Sequence, residues 1–282
     1  MTSATPLRKA LLTGAGALVV VIFLAPYLQM VITSLTPDQE LYSIPARYLP
    51  SRLELANFVD VWTKAPLWDY LRSSLIIAGF ATLLVLVVSL PAAYYTARYR
   101  YRGRLAFLLL VLITQMFAPT ALVIGIYREF VSIGDIVPII GPDTYLALII
   151  VNAAFNLAFS TWIMVAYFST IPVELEEAAA IDGASRLGVL RRVTLPLALP
   201  GIVTATIFTF IAAWNEFVVA LTLAQSPEIK PLTVGITTFI GQYRVAWQYL
   251  FASSIIAIVP VVVLFILIER WLVSGLTAGS VK

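Results

Sequence analysis

The 282-residue sequence contains no cysteine and no histidine. Without thiols there can be no disulfide, no thiolate metal site and no cysteine nucleophile. Without imidazole the commonest metal ligand is missing, along with the side chain whose ordinary pKa lies nearest neutrality. Charge is scarce as well: Asp, Glu, Lys and Arg make up 12% of the chain, against about a quarter in an average soluble domain. No G-x-x-x-x-G-K-[ST] run occurs, so the chain carries no phosphate-cradling loop of that kind for ATP. Chemistry on carboxylates or serine stays open, but no carboxylate pair falls within the apolar stretches.

What is present in excess is apolar surface. Hydrophobic residues form 61% of the chain and the mean hydropathy is +0.95, more than a soluble core could absorb. The composition therefore predicts an all-α integral membrane protein. A helix rising ~1.5 Å per residue needs about 20 apolar residues to cross the hydrocarbon. Six stretches qualify, at roughly 11–33, 73–97, 105–126, 144–168, 197–224 and 249–271, and they predict a single six-span domain over residues 1–282. The first follows Arg8 and Lys9 but is too long for a signal-peptide core and ends without a small-x-small site, so it reads as an uncleaved span. The sequence shows neither a low-complexity tract nor the inverted 3+3 repeat typical of secondary transporters.

Charge counting predicts the orientation. With the N-terminus in the cytoplasm, the inner segments hold eleven basic residues: Arg8, Lys9, Arg98, Arg100, Arg102, Arg104, Arg186, Arg191, Arg192, Arg270 and Lys282. The outer segments hold seven, spread over longer stretches: Arg47, Arg52, Lys64, Arg72, Arg128, Lys230 and Arg244. The positive-inside rule then places both termini, the tail 272–282 and the segment 172–196 in the cytoplasm. Outside lies a long loop, residues 36–72, with Asp38, Glu40, Glu54, Asp60 and Asp69 among four prolines. Its FVDVWTKAPLWDYL reads as a short interfacial piece, with Trp62 and Trp68 belonging either to an aromatic belt or to a partner contact.

The segment VELEEAAAIDGASRLGVLRRVTLPLALP interrupts the apolar pattern at 173–200. Pro172 suits a helix start, and Glu174, Glu176 and Glu177 crowd the end where the macrodipole favours negative charge. Ala178, Ala179 and Ala180 form helix strongly and leave a face open to close approach. Gly183 after Asp182 can take a left-handed conformation, and Ala184–Arg192 then reads as a second helix with Leu187 and Leu190 on one side. A connector lying on anionic headgroups is one reading. The acidic first half opposes it and points to a plug for a protein socket.

The spacing Glu177-Ala178-Ala179, three residues, Gly183, nine residues, Val193, one residue, Leu195-Pro196 resembles the EAA loop of permease subunits in ATP-binding-cassette importers. Val193 in place of isoleucine is the only departure from the family pattern. Two further stretches, AAWNEF at 212–217 and the closing GLTAGSVK at 275–282, are similar to the maltose-type carbohydrate permeases, and more narrowly to their shorter, six-span subunit. This resemblance implies that Glu177, Ala178, Ala179, Asp182, Gly183, Leu187, Leu190, Leu195 and Pro196 form a coupling loop docking on an ATPase. It implies tail contacts to the same ATPase through Gly275, Leu276, Thr277 and Gly279. The implied setting is the inner membrane of a bacterium or archaeon. The implied partners are an ATP-binding-cassette ATPase dimer that holds ATP and Mg, a second homologous permease chain, an extracytoplasmic solute-binding protein and membrane lipid. Neither nucleic acid nor a cofactor bound by this chain is implied.

Ionisable groups within spans are functional candidates by default. Glu216, after Trp214 and Asn215, is the one carboxylate deep in a predicted span, about seven residues or ~10 Å below its end. Asn152, Asn156 and Ser160 form an i, i+4, i+8 stripe on span four. Asn152, Asn156, Asn215 and Glu216 are thus expected near one level, with Thr114 and Gln115 approaching from span three. Two readings stand side by side: a polar collar lining the solute path or its gate, and helix-to-helix hydrogen bonds. Pro26, Pro91, Pro119 and Pro260 can each kink a span. Taken together the sequence predicts a permease subunit of an ATP-driven importer for a sugar or similar polar solute. The alternatives are an ion-coupled carrier using Glu216 and a membrane scaffold without transport.

Overall fold

The computed structural model describes residues 6–278, with side chains over 10–268. It is helical almost throughout. Helix α1 (Pro6–Ser34) is followed by the short α2 (Asp38–Leu41) and α3 (Asn57–Lys64), then by the long α4 (Leu67–Arg98). Next come α5 (Arg104–Thr114), α6 (Pro119–Ile136) and, after a 3-10 turn, α7 (Tyr145–Thr170). The charged segment forms α8 (Val173–Ile181), α9 (Arg186–Val189), a π-turn at Leu190–Thr194 and α10 (Leu195–Leu197). The chain continues through α11 (Leu199–Trp214), α12 (Val218–Leu223), α13 (Leu232–Gly235) and α14 (Trp247–Ala278).

Among the described residues four helices are long and apolar enough to cross a membrane, and up to six spans result if each of two bent helix pairs counts as one. The expected spans at 11–33, 73–97, 144–168 and 249–271 correspond to α1, α4, α7 and α14. The span expected at 105–126 is not one straight helix: α5 stops at Thr114 and α6 leaves at a bend of 95°, running on to Ile136. Pro119 explains the stop, because it has no N–H to continue the ladder. It also forces Ala118 before it into an extended conformation, φ −66° and ψ 132°. The span expected at 197–224 is interrupted too: the segment Arg186–Leu197 meets α11 at a bend of 74°, α11 ends at Trp214, and α12 restarts at Val218. The helix expected over Ala184–Arg192 is shorter, and its second half is the π-turn.

The chain divides into two compact units, Met1–Leu67 with Ile236–Ile258 and Trp68–Gly235 with Val259–Lys282. In the first, the long loop after α1 is folded rather than loose. The buried Asn57 amide donates to the carbonyls of Ser34 and Thr36, at 2.9 and 3.3 Å. Asp38 pairs with Arg244 at 2.7 Å and accepts from Gln248 at 2.9 Å, while the Arg244 guanidinium lies 4.7 Å over the Tyr42 ring. Glu40 accepts from the hydroxyl and the amide of Ser51, and these bonds hold its carboxyl below the ordinary carboxylate value.

In the second unit α7 is central, with 56% of its apolar window buried against 33% for α4. One apolar cluster gathers Leu148, Val151, Val219, Leu223 and Ile77. A second gathers Met164, Phe168, Ala93, Ala198 and Ala205. Between α4 and α7 the fully buried hydroxyls of Ser89 and Ser160 bond at 3.0 Å, an interhelical contact suited to a medium without water. Helix α11 approaches α7 so closely that a Cβ on Gly201 would sit 2.4 Å from Cγ of Tyr167. Gly201→Ala therefore overpacks this seam and is expected to cost about 1–3 kcal/mol, measurable as a lower unfolding temperature in detergent. Gly79→Ala is the control: nothing lies within 4 Å of its Cβ position, and helix propensity predicts no loss, or a gain of up to about 1 kcal/mol.

Candidate functional site

Pro172, at ψ 134°, turns the chain off α7 and into α8. The far end of α8 is closed by a Schellman turn. The Gly183 amide donates to the Ala180 carbonyl at 3.1 Å and the Ala184 amide to the Ala179 carbonyl at 3.0 Å, a pairing that needs a left-handed residue between them. Gly183 supplies it with φ +87°. Ser185 then caps α9, its Oγ accepting from the Gly188 amide at 3.2 Å. The sequence expectation of a helix, a glycine break and a second helix start is met.

The small-residue face of α8 is open. Glu177, Ala178, Asp182, Gly183 and Pro196 are exposed, and Ala179, Leu190 and Leu195 are half-buried. Ile181 and Leu187 stand 86% and 73% exposed. Glu176 is directed elsewhere. Its Oε1 accepts from Arg98 Nε at 2.8 Å and from Thr194 Oγ1 at 2.9 Å, and its Oε2 accepts from the Tyr94 hydroxyl at 2.9 Å. The Glu176 and Arg98 side chains are only 11% and 7% exposed. One carboxylate thus joins the end of α4, α8 and the π-turn. Tyr94 carries the connection inward through an edge contact with Phe168 at 5.7 Å. Sequence reasoning selected Glu177 and passed over Glu176, Tyr94 and Thr194.

The polar residues of the spans are engaged largely with backbone. Asn152 is buried, its Nδ2 donating to the Leu148 carbonyl at 2.9 Å and its Oδ1 unpartnered among the described residues. Asn156 is half-buried and donates to the Asn152 carbonyl at 2.8 Å. Gln115, exposed at the break between α5 and α6, donates to the Phe155 carbonyl of α7 at 2.8 Å. Asn215 ends α11 and is exposed. Glu216 accepts from the amides of Val219 and Ala220 at 2.8 and 2.9 Å, so its carboxylate caps α12 at the positive end of the short helix. Gly275, Leu276 and Thr277 belong to the backbone of α14, while their side chains, and Gly279 altogether, lie outside the described residues.

At the opposite end of α7 from α8, Asp143 adopts φ +62°. Its carboxylate accepts from the amides of Gln225 and Ser226, both at 2.7 Å, and from the Ser226 hydroxyl. Its own amide donates to the Leu223 carbonyl at 2.8 Å. Burial pushes this carboxyl up, but the bonds from Ser226 and Gln225 and the charge of Lys230 outweigh it, leaving the group below the ordinary Asp value. Asp143 thereby pins the loop after α12. No grouping of three Asp or Glu side chains among the described residues could hold a metal.

Residues 89–277, which contain the Glu176 anchor, both breaks and the Schellman turn, match the family model "Binding-protein-dependent transport system inner membrane component". The chain belongs to this family. It resembles the trehalose/maltose transport system permease protein of Thermococcus litoralis, with 35% identity over 98% of each chain. It also resembles the sulfoquinovosyl glycerol transport system permease protein of Agrobacterium fabrum, with 32% identity over 95% of this chain and 92% of the other. In fold it is similar to a chain of a bacterial ABC transporter involved in the import of the acidic polysaccharide alginate. The TM-score is 0.79 at 22% identity, covering 96% of this chain and 99% of that one. The protein is therefore a multi-pass inner-membrane permease subunit of an ABC importer, and ATP hydrolysis belongs to a separate subunit. Family membership sets aside the ion-coupled carrier and the scaffold without transport.

Two outcomes follow from the polar anchors of this permease. Glu216→Ala removes the cap of α12 and is expected to cost about 0.5–2 kcal/mol, read as a lower unfolding temperature. Asp143 has a depressed carboxyl, so its hold on the loop is present above the ordinary Asp value and is lost as pH falls through the lower folded value. Asp143→Ala should free the Gln225 and Ser226 amides at neutral pH by about 1.5–3 kcal/mol, the worth of a hydrogen bond to a charged acceptor. Faster hydrogen exchange of those two amides is the measurement.

Proposed function

We propose that this chain is the shorter permease subunit of an ATP-driven importer for a sugar or related polar solute. The observation that carries the reading is the charged helix pair: the EAA spacing falls on a helix whose small-residue face is open and whose glycine is left-handed. Docked on a partner ATPase, Glu177, Ala178, Ala179, Ile181 and Leu187 would form the contact. Sugar as the substrate class is supported by the printed names of the relatives, which carry trehalose, maltose and a sulfoquinovosyl glycerol.

In this reading α8, α9 and both termini face the cytoplasm, a placement that the positive-inside rule supports through the arginines at 98–104 and 186–192. ATP and Mg bind between two ATPase subunits. Their closure moves the docked helix pair, and the attached spans pass from inward- to outward-facing. Energy reaches the conduit as differential contact in two states. A second, homologous permease chain completes the path, and an extracytoplasmic binding protein delivers solute, with the folded loop after α1 on its side of the membrane. Within the path, Asn156, Asn215 and Gln115 are proposed to meet solute. Asn152 and Glu216 shape the path by holding backbone.

Co-purification with the ATPase and solute uptake into proteoliposomes test this. Glu177→Arg reverses a charge at the docking face, and Gly183→Pro cannot adopt φ +87°. Each is expected to weaken association by at least about 2 kcal/mol, some 30-fold, in the range seen when an interfacial charge pair is broken. Uptake that follows an ion gradient and survives ATP depletion would overturn the assignment.

A further inference from the structure

Helix α8 raises a mechanical question. It has nine residues and buries none of them, and a helix this short is marginal on its own in water. A contact element that slides over its own bundle transmits no motion, so something must hold α8 against the spans. Apolar packing contributes little, because Val173, Leu175 and Ile181 remain 45–86% exposed. The Glu176 carboxylate supplies the hold: it accepts three hydrogen bonds from two other segments, each bond between 2.8 and 2.9 Å.

The donors sit where a mechanical tie needs them. Arg98 is the last residue of α4 and Tyr94 lies one turn before it, so two bonds reach a span that continues to Leu67. Thr194 is fully buried at the end of the π-turn, directly before Leu195 and Pro196 lead into α11. A π-turn inserts one extra residue into the helical register and turns the residues after it; here it ends on the hydroxyl that meets Glu176. The adjacent Glu177 remains exposed, and its carboxylate accepts no hydrogen bond like those of Glu176 among the described residues. Neighbouring residues on a helix point about 100° apart, so two identical side chains divide the work between a partner outside and the bundle inside.

We infer that Glu176 is a positioning residue that locks the α8–π-turn segment to α4 through Arg98, Tyr94 and Thr194, so that loop and span move as one body during the transport cycle. The inference rests on α8 being the element that docks on the ATPase. The tie itself is a property of this chain and can be measured separately.

The variant must remove the tie without stranding a charge. Glu176→Ala alone leaves a buried guanidinium with no counter-charge, whereas exchanging both members of a buried pair for apolar groups is often neutral. The test is therefore Arg98→Met combined with Glu176→Ala in the full importer, reconstituted with cysteine-free partner subunits. The chain has no cysteine of its own, so spin labels at Arg100→Cys and Arg191→Cys, both exposed, report one distance between the α4 end and the loop. With native Arg98 and Glu176, that distance is expected to be narrow and equal in the nucleotide-free and ATP-bound complexes. In the double variant it is expected to broaden. Stimulation of ATP hydrolysis by solute-loaded binding protein, normalised to assembled complex, should fall on the order of tenfold, within the 5–150-fold span of ordinary coupling energies.

A native distance that shifts between the two nucleotide states overturns the proposal. So does a double variant with a narrow distance and full stimulation, and so does one that loses assembled complex but turns over normally in what remains. If Glu177→Arg leaves the ATPase bound while the two distances still agree, the docking assignment has failed and the tie stands.

Discussion

A helix interrupted in apolar surroundings frees backbone groups that must find partners within the protein, because each one left bare costs several kcal/mol. At several such interruptions in this chain a polar side chain or a special turn supplies the partners. Glu216 takes two amides at the restart of α12. At the break before α6 the Gln115 and Met116 amides donate to the Leu112 and Ile113 carbonyls, and the Gln115 side chain ties the break to α7. Asp143 collects the amides of Gln225 and Ser226, and Gly183 lets two carbonyls of α8 be satisfied. In a chain only 12% charged, the few carboxylates away from water are assigned largely to this task.

That assignment decides how the polar collar is understood. A carboxylate deep in a span invites a gate or an ion site, and Glu216 has the position for either. Its oxygens are instead occupied by backbone amides four residues or fewer away, so its charge stabilises the restart of a helix. The break it stabilises is what leaves Asn215 exposed at the end of α11. The carboxylate is therefore spent on the shape of the chain, whereas the uncharged amides of Asn215 and Gln115 are exposed and that of Asn156 is half-buried.

The features legible in the sequence were those that depend on local pattern. Long apolar runs located α1, α4, α7 and α14, and the spacing from Glu177 to Pro196 located the helix pair with its left-handed glycine. The breaks were not legible, because hydropathy reports the length of an apolar run and not its direction. LLVLITQMFAPTALVIG stays apolar through a bend of 95°, and only Pro119 hints at it. The role of Glu216 was hidden for a related reason: residue spacing does not say which backbone amides will be free. The distinction between Glu176 and Glu177 was out of reach as well. Two adjacent carboxylates on a helix are chemically equal until the end of α4, seventy-eight residues earlier, arrives on one side of them.

The use of a charge for that inner contact is itself informative. Apolar packing could have seated α8 without the desolvation penalty of a buried ion pair, and a helix of alanines would have packed readily. Apolar contacts are non-directional, however, and allow a short helix to roll about its axis. Three hydrogen bonds to one carboxylate, arriving from a guanidinium, a phenol and a hydroxyl, fix both the position of α8 and its rotation. With its rotation fixed in this way, α8 holds the exposed Glu177 and Ala178 in one orientation relative to the end of α4.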